Sequence, residues 1–418
     1  MARHRRRPPK GSSGMTSTGP DAGQRIAAAR RRRGLSQVVL AGLVGRSESW
    51  LSQVERGKRE VDSHTVLIRL AKILHTDIAE LAGTDNGKEA PGNYPLAESI
   101  RRAMMGYDAL DTVIAADSTA PPASAAILRT MATRAYRDYQ GTRYEQAGRR
   151  LASLIRDVEA ATRISGHTTA MNETRALTYD ATAALLARTG DKALAWAAAD
   201  RALAAAEMSG NPLLTALGAY RLCYVLSGQG RAPEGTDVAM RAAQALEQIM
   251  RDPDDSQLSI YGGLHLAAAT AAAADYDRQT ASACLHQAGH TASRLGQDAN
   301  IMGTAFGPTN VALHTMSISV RLGDAEAAIR TGETLNPAAL PTGLTGRRTQ
   351  VNLDLARAYA MRKQDAAAVN VLLTAEKLSP QLVRYDQPTR DLLTGLLRRE
   401  HRPSTPQLRP LAHRAGVI

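Results

Sequence analysis

Apolar residues recur at helical spacing through residues 21–83 and predict five short helices. Gly34 falls where the first helix would end, and Gly45 falls between the second helix and the third. Glycine suits both places because it readily adopts the left-handed backbone that tight helix connections require. Ser36 and Ser47 precede the second and third helices, where a serine side chain can cap a helix N-terminus. The pattern therefore predicts two short helices joined by a tight turn.

The predicted third helix, which runs to about residue 55, has an apolar side and a polar side. Leu51 and Val54 form the apolar side, and the outward polar side chains are Glu48, Ser49, Ser52 and Gln53. The inward positions assigned to the second helix are Val39, Leu40 and Val44. A helix that follows a tight turn and presents polar side chains outward is typical of a helix-turn-helix DNA-binding domain.

Three segments resemble the Xre family of phage-repressor and Cro-like helix-turn-helix domains. They are LSQ at 35–37, VGRSESWLSQVERGKR at 44–59 and LAKIL at 70–74. The resemblance covers about 60 of the 418 residues without a gap. It implies a five-helix DNA-binding domain over residues 21–83.

The resemblance also implies which residues contact DNA. Gln37 would hydrogen-bond a phosphate, and Lys58 and Arg59 would contact the backbone and add salt-dependent affinity. The remaining members of the predicted interface are Arg46, Ser47, Glu48, Ser49, Trp50, Ser52 and Gln53. Glutamine pairs well with adenine and glutamate with the amino group of cytosine, so Gln53 and Glu48 are suited to reading base edges.

Two positions in this domain have structural interpretations. Arg30 and Glu55 match a pair that forms an internal salt bridge in relatives, and we expect the same here. Trp50 departs from the family pattern, which favours a smaller residue. Its ring either lies against the sugar-phosphate backbone or fills a gap between the third and fourth helices.

Positive charge concentrates near the N-terminus. Residues 1–90 contain 17 lysines or arginines and 9 acidic residues, whereas the whole chain carries a net charge of +12. A polyanionic partner is therefore expected for this region, namely double-stranded DNA. Arginine outnumbers lysine by 45 to 7, a bias typical of a high-GC genome such as an actinobacterial one.

Residues 1–20 predict a disordered basic arm, because they combine basic side chains with Pro, Gly and Ser. The arm either reaches the DNA or precedes the native start, which would then be Met15 rather than Met1. Two cysteines, Cys223 and Cys284, exclude a disulfide framework. The chain contains neither a signal peptide nor a membrane-length apolar run, so we expect a cytoplasmic protein without membrane association.

A second, all-α domain is predicted beyond a linker at 84–97. Residues 98–400 form alanine-rich helical segments, and 401–418 are expected to be a flexible tail. Segments 353–380 and 174–207 resemble tetratricopeptide repeats, with weaker copies between them. The register positions are Ala183, Gly190, Ala195, Ala202, Cys223, Gly230, Gly235, Ala242, Gly323, Ala328, Ala356, Tyr359, Ala368, Leu372, Ala375 and Pro380. We expect six helix pairs and a closing helix at about 384–400 in an α-solenoid; a bundle without repeat order is the alternative.

The first helix of each pair would line the concave side of such a solenoid. Projection of the register places Tyr220, Tyr224, Asn310 and Arg357 on that side. Tyrosine and asparagine there suit a peptide or small-molecule ligand; for any one of these residues taken alone, an ordinary packing or solvated side chain is the favoured interpretation.

The sequence gives little evidence for catalytic or metal-binding residues. Cys284, His286 and His290 share a helix, but a further metal ligand is not indicated, and we favour a packed cysteine with partly exposed histidines. A phosphate-binding loop and a nucleophile elbow are both absent from the sequence. We expect neither an enzyme nor a cofactor.

The two domains together resemble peptide-sensing transcription regulators of Gram-positive bacteria and similar fusions in actinobacteria. The resemblance implies a homodimer that places two recognition helices in successive major grooves, roughly 34 Å apart. The repeats would sense a peptide or small molecule. The alternative is a DNA-binding protein whose repeats dock another protein and bind no small ligand.

Overall fold

The computed structural model describes residues 22–59, 61, 64–74, 94–106 and 123–418, and every regular element in these ranges is a helix. The chain divides into two compact units, residues 1–90 and 91–418. Both parts of the predicted fold class, a helix-turn-helix domain followed by helical repeats, are confirmed. The predicted basic arm at 1–20 and the predicted fifth helix of the first domain lie outside the described residues.

The first unit contains four described helices, α1 (Ala22–Arg32), α2 (Gln37–Val44), α3 (Glu48–Glu55) and α4 (His64–Leu74). Both predicted caps form: Ser36 Oγ accepts from Val39 N at 3.2 Å, and Ser47 Oγ accepts from Trp50 N at 3.2 Å. Gly45 connects α2 to α3 with a φ of 70°, which favours glycine. The interior assignment of Val39 is wrong, since its side chain is 48% exposed.

The second unit begins with α5 (Ala97–Met105) and continues as six antiparallel helix pairs in the described residues. The pairs are α6 (Ala125–Gln140) with α7 (Tyr144–Ser165), α8 (Thr169–Thr189) with α9 (Lys192–Ser209), α10 (Pro212–Gly228) with α11 (Ala232–Glu247), α12 (Asp255–Ala274) with α13 (Arg278–Leu295), α14 (Pro308–Arg321) with α15 (Ala325–Thr334), and α16 (Thr345–Met361) with α17 (Asp365–Leu378). Short 3-10 turns occupy Ile301–Gly303 and Pro337–Ala339, and the chain ends with α18 (Pro380–Tyr385), α19 (Gln387–Arg398) and α20 (Leu408–Arg414). The predicted number of pairs and the predicted closing helix are both present.

Packing follows a repeat order. Each first helix contacts its own partner and also the first helix of the next pair, from α6 through α16. Small residues allow the close approach within pairs: a Cβ added at Gly235 would lie 2.8 Å from the carbonyl oxygen of Cys223. Ala183, Ala356 and Ala368 are completely buried, as their repeat register predicts. The α16 helix also contacts α6, so the last pair packs against the first.

The predicted linker ends too late. Tyr94 is buried, donates to the carbonyl oxygen of Tyr144 at 2.5 Å, and packs edge-on against Tyr385 at 5.5 Å between ring centroids. Tyr94 thus belongs to the core of the second unit, and Leu96 and Ala97 pack against that core. The reason is that Tyr94 meets its partners far along the chain, where a local pattern cannot reveal them.

The prediction of a flexible tail at 401–418 is also wrong. Leu408 and Leu411 of α20 are buried in the same core as α19. Arg414 donates to both carboxylate oxygens of Glu376 at 2.7 Å. The apolar side chains on one face of this short helix gain burial against α19, which stabilises the segment.

Candidate functional sites

The polar side of α3 is accessible, as predicted. Glu48 and Ser49 are exposed, and Ser52 and Gln53 are partly exposed on the same helix. Leu51 and Val54 are buried on the opposite side. The helix therefore offers carboxylate, hydroxyl and amide groups to a partner, while its apolar side holds it on the core of the first unit.

A buried ion pair joins α1 to the end of α3, and a glutamine at the start of α2 hydrogen-bonds to it. Arg30 Nε donates to Glu55 Oε1 at 2.6 Å and Arg30 Nη2 donates to Glu55 Oε2 at 2.9 Å, which confirms the predicted internal pair. Gln37 Nε2 donates to Glu55 Oε2 at 2.7 Å. Burial would raise the pKa of Glu55, but the hydrogen bonds from Arg30 and Gln37 hold it below its usual value. Gln37 thus uses one N–H inside the domain, and its phosphate contact stays a prediction.

Trp50 does not belong to the accessible surface. Its side chain is 5% exposed and packs in the core that α1–α4 share, so the gap-filling interpretation is the correct one. The indole Nε1 is buried without a hydrogen-bond partner among the described residues. Arg46, which is exposed, places its guanidinium 5.6 Å from the centre of the indole ring. The direct DNA contact predicted for Trp50 is therefore wrong.

Cations flank the exposed side of α3. Lys58 and Arg59 are exposed in the turn that follows the helix, and Ser47 is exposed at its start. Arg56, which the sequence reasoning missed, donates from Nη2 to Ser52 Oγ at 2.7 Å and from Nε to the Ser52 carbonyl oxygen at 3.0 Å. Ser52 therefore presents a hydroxyl that already accepts a hydrogen bond, and Arg56 adds a cation beside it.

The four predicted ligand contacts all lie on first helices of pairs. Tyr220 and Tyr224 are on α10, with ring centroids 5.1 Å apart, and Tyr220 is 4% exposed. Asn310 on α14 is 1% exposed, and its side-chain oxygen has no hydrogen-bond partner in the described part of the chain. Tyr220 and Asn310 therefore lie inside the unit and Tyr224 is half-buried, so all three are less accessible than an open concave surface would make them.

Arg357 is committed to protein carboxylates. Its guanidinium donates to Asp354 Oδ1 at 2.6 Å and to Asp386 Oδ2 at 3.0 Å, and Arg188 donates to the other oxygen of Asp386 at 3.0 Å. Burial would raise the pKa of Asp386, but the charges of Arg357 and Arg188 hold it below its usual value. The structure thus places Arg357 in an ion network that links α8, α16 and the start of α19, and not as a free cation for a ligand.

A hydrogen-bond chain connects Asn310 and Tyr224 through His314. Burial, together with the positive charge of Arg347, lowers the pKa of His314 to about 3, so the ring is neutral. Its Nδ1 lies 2.8 Å from the carbonyl oxygen of Asn310, and its Nε2 lies 3.2 Å from the hydroxyl of Tyr224. A carbonyl only accepts, so Nδ1 carries the proton and Nε2 accepts from Tyr224. Two of the four predicted residues therefore meet at a histidine that the sequence did not reveal, and Tyr220 packs against one of them, Tyr224.

A cavity of about 70 Å³ lies beside this chain, between α6, α8, α10 and α16. Its polar lining includes Tyr139, Tyr144, Tyr220, Arg221 and Arg347. Apart from Tyr220, the sequence reasoning missed these residues. One signal was available: three of the twelve tyrosines in the chain fall within residues 136–144.

The last candidate residues from the sequence are the cysteine and the two histidines of α13. Cys284 is buried with its Sγ 3.6 Å from Met240 Sδ, whereas His286 and His290 are exposed. Within the described ranges, no group of three or more His, Cys, Asp or Glu side chains could hold a metal ion. Among the helices that the structure describes, none has the length and apolar character to cross a membrane.

Comparison with known proteins supports the assignment of the first unit. Residues 21–82 match the helix-turn-helix domain family. The curated proteins contain no match to the chain.

Two solved structures align with most of the chain at low sequence identity. One is the crystal structure of a Rap protein complexed with Competence and Sporulation Factor, with 11% identity, coverage of 86% of this chain and 99% of that one, and a TM-score of 0.48. The other is Bacillus thuringiensis PlcR in complex with the peptide PapR7 and DNA, with 13% identity, coverage of 84% and 99%, and a TM-score of 0.32.

Proposed function

We propose that this protein is a sequence-specific, DNA-binding transcription regulator whose repeat unit forms a homodimer and senses a peptide or another small molecule. One observation carries the proposal: in a helix-turn-helix domain, the polar side of α3 is accessible while its other side is anchored. Exposed Glu48 and Ser49 stand at the N-terminal end of α3, the part of a recognition helix that contacts base edges.

The charges around α3 support DNA as the partner. Arg46 precedes the helix, and Arg56, Lys58 and Arg59 follow it, all of them exposed. Cations at the two ends of a recognition helix are placed to contact phosphates, which fixes the register without selecting sequence. Selectivity would come from Ser49 and Gln53, whose side chains lie between these cations along the chain.

Unpaired polar groups inside the repeat unit support ligand sensing. The side-chain oxygen of Asn310 is buried without a described partner. A buried polar group without a hydrogen bond costs about 1–3 kcal/mol, so a ligand that supplies the missing partner gains affinity. If this ligand binds one arrangement of the helix pairs more tightly than another, it shifts the population of arrangements and thereby the DNA affinity.

Selection from random DNA duplexes tests the DNA-binding part. The purified full chain is compared with a Ser49→Ala, Gln53→Ala variant, and Lys72→Ala, an exposed position on α4, is the matched control. Gln37 is left intact because it supports the Glu55 pair. Wild type and control should enrich an inverted repeat with half-sites about 10 base pairs apart, and the double variant should lose it. Enrichment of no sequence by wild type, or of the same sequence by the double variant, would contradict the assignment.

The proposal that the repeat unit senses a ligand is tested by a separate measurement. Affinity for the selected duplex is measured with and without culture supernatant or cell extract, each separated into small-molecule and macromolecular fractions. A change produced by the small-molecule fraction supports a sensor. A change produced by the macromolecular fraction alone supports docking of a protein, and equal affinity in all samples removes the support for sensing.

A further inference from the structure

Three arginines line the cavity of about 70 Å³ in the repeat unit, and one of them has no counter-ion among the described residues. Arg188 is paired with Asp386, and Arg221 donates twice to Asp180, at 2.9 and 3.2 Å. Arg347, in contrast, forms neither an ion pair nor a hydrogen bond with any residue in the described ranges, and its side chain is half-buried. A partly desolvated charge without an ion-pair partner gains from pairing, so an anion that reaches this arginine would bind favourably.

The groups around Arg347 are mainly donors. Tyr139, Tyr144 and Tyr220 line the same cavity, and their hydroxyls make no hydrogen bond to another described residue. Burial raises the pKa of Tyr144 above its ordinary value, so that hydroxyl stays protonated and able to donate. The described lining of the cavity contains no carboxylate. The nearby Asp180 is paired with Arg221, and the nearby Asp386 is paired with both Arg188 and Arg357.

The volume limits what can enter. A water molecule needs roughly 10–15 Å³ of such space, so the cavity holds a few waters or one compact polar group. A whole peptide does not fit, whereas a single carboxylate or phosphate does. A guanidinium and neighbouring hydroxyls are the donors that such an oxyanion accepts from, in short charge-assisted hydrogen bonds.

We propose that Arg347 and the hydroxyls of Tyr139, Tyr144 and Tyr220 bind an oxyanion, a carboxylate or a phosphate, that belongs to the signal molecule. The inference rests on the proposed function in one respect, namely that the repeat unit senses a ligand. It adds the chemical class of that ligand: an acidic molecule whose anionic group enters the cavity while its remainder stays outside.

The first test uses anions alone and the full chain. Thermal unfolding is followed in titrations with sodium acetate and with inorganic phosphate at constant ionic strength, with chloride as the reference salt. Arg347→Gln is the test variant. Arg163→Gln is the matched control, because Arg163 is an exposed arginine lining a separate groove of about 530 Å³ that also contains Arg102, Arg156 and Arg201.

Saturable stabilisation of wild type by acetate or phosphate is expected, with the more effective anion identifying the kind of group. Arg347→Gln should bind that anion about tenfold more weakly or worse, as expected when hydrogen bonds to a charged group are lost. Arg163→Gln should behave as wild type. Absence of saturable stabilisation, equal stabilisation of Arg347→Gln, or loss in Arg163→Gln instead would overturn the proposal.

The second test needs no ligand. Because Arg347 is a half-buried cation with no ion-pair partner among the described residues, the neutral Arg347→Gln variant should unfold at a higher temperature than wild type in chloride, and Arg163→Gln should not. A lower unfolding temperature would mean that Arg347 holds the fold together, which would also overturn the proposal. Neither test involves DNA. A negative result in either test would therefore leave the proposal of DNA binding unaffected, and a negative duplex selection would leave the anion-binding result interpretable.

Discussion

The two units place their polar side chains in opposite ways. In the first unit, the residues proposed to act lie on the accessible side of α3, and the buried charges of Arg30 and Glu55 are paired with each other. In the repeat unit the residues proposed to act are themselves largely inside, and some of them, such as Asn310, lack a described partner. The contrast suggests that a DNA-reading surface is added to a core whose buried charges are paired, whereas a ligand site is made by leaving polar groups of a core without partners.

The largest expected effect comes from removing one partner of the buried ion pair in the first unit. Glu55→Ala leaves Arg30 buried without its carboxylate and should destabilise the first unit by about 3–5 kcal/mol. The chain has two tryptophans, Trp50 in the first unit and Trp196 in the second, so the fluorescence of Trp50 in a Trp196→Phe background follows the first unit alone.

Glu55→Leu with Arg30→Met is the control for this loss, because replacing both partners removes the uncompensated charge. The double variant should recover most of the stability. If Glu55→Ala unfolded at the same denaturant concentration as wild type, the core of the first unit would not depend on this pair.

An intermediate effect is expected where two helices of a pair touch. Gly235→Ala puts a Cβ 2.8 Å from the carbonyl oxygen of Cys223 and should cost about 1–3 kcal/mol, since backbone must move to make room. Gly289→Ala on α13 is the matched control: a Cβ there meets nothing within 4 Å, so the variant should gain about 0.5–1 kcal/mol from lower chain entropy. Urea unfolding measures both, and equal effects at the two positions would argue against close packing within pairs.

The smallest effect at neutral pH is expected from a buried histidine of the repeat unit, because its contribution to stability changes only as the pH falls. Burial lowers the pKa of His265 to about 4, and neither ring nitrogen has a hydrogen-bond partner in the described residues. An unfolded histidine titrates near 6.5, so between about pH 6.5 and 4 the unfolded chain takes up a proton that the folded chain does not. Stability from this group is complete above pH 6.5 and falls by about 1.4 kcal/mol per pH unit below it.

His265→Leu should therefore flatten the decline in stability between pH 6.5 and 5 and raise stability throughout that range. His314, whose pKa is lowered to about 3, stays in place and keeps its share of the slope. Urea unfolding at half-unit pH steps, followed by the fluorescence of Trp196, measures the slope. An unchanged slope in His265→Leu would show that this ring is not held neutral by the fold.

The features that the sequence predicted correctly are local ones. The caps at Ser36 and Ser47 and the turn at Gly45 depend on a few adjacent residues, and the alanines of the repeat register depend on spacing along one helix pair. The outward side of α3 follows from the same short-range periodicity. Trp50 was ambiguous because its environment is completed by α4, which the spacing within α3 does not describe.

The features that could not be predicted depend on distant partners. Arg221 is separated by 41 residues from its partner Asp180, and Arg188 is separated by 198 residues from its partner Asp386. Because both separations are long, neither pair has a sequence signature. For the same reason Arg347 cannot be recognised as unpaired until every neighbouring carboxylate has been placed. The buried tail helix and Tyr94 were mispredicted because both pack against segments remote in sequence.

The most direct test of the central claim is the discrimination of single base pairs by Gln53. On the selected duplex, each base pair is changed in turn, and the affinity of wild type is compared with that of Gln53→Ala. Wild type should lose about 1–3 kcal/mol at the pair that Gln53 contacts, and Gln53→Ala should bind both versions of that pair equally while still discriminating elsewhere. Full discrimination by Gln53→Ala at every pair would contradict the assignment of α3 as the helix that reads DNA through this side chain.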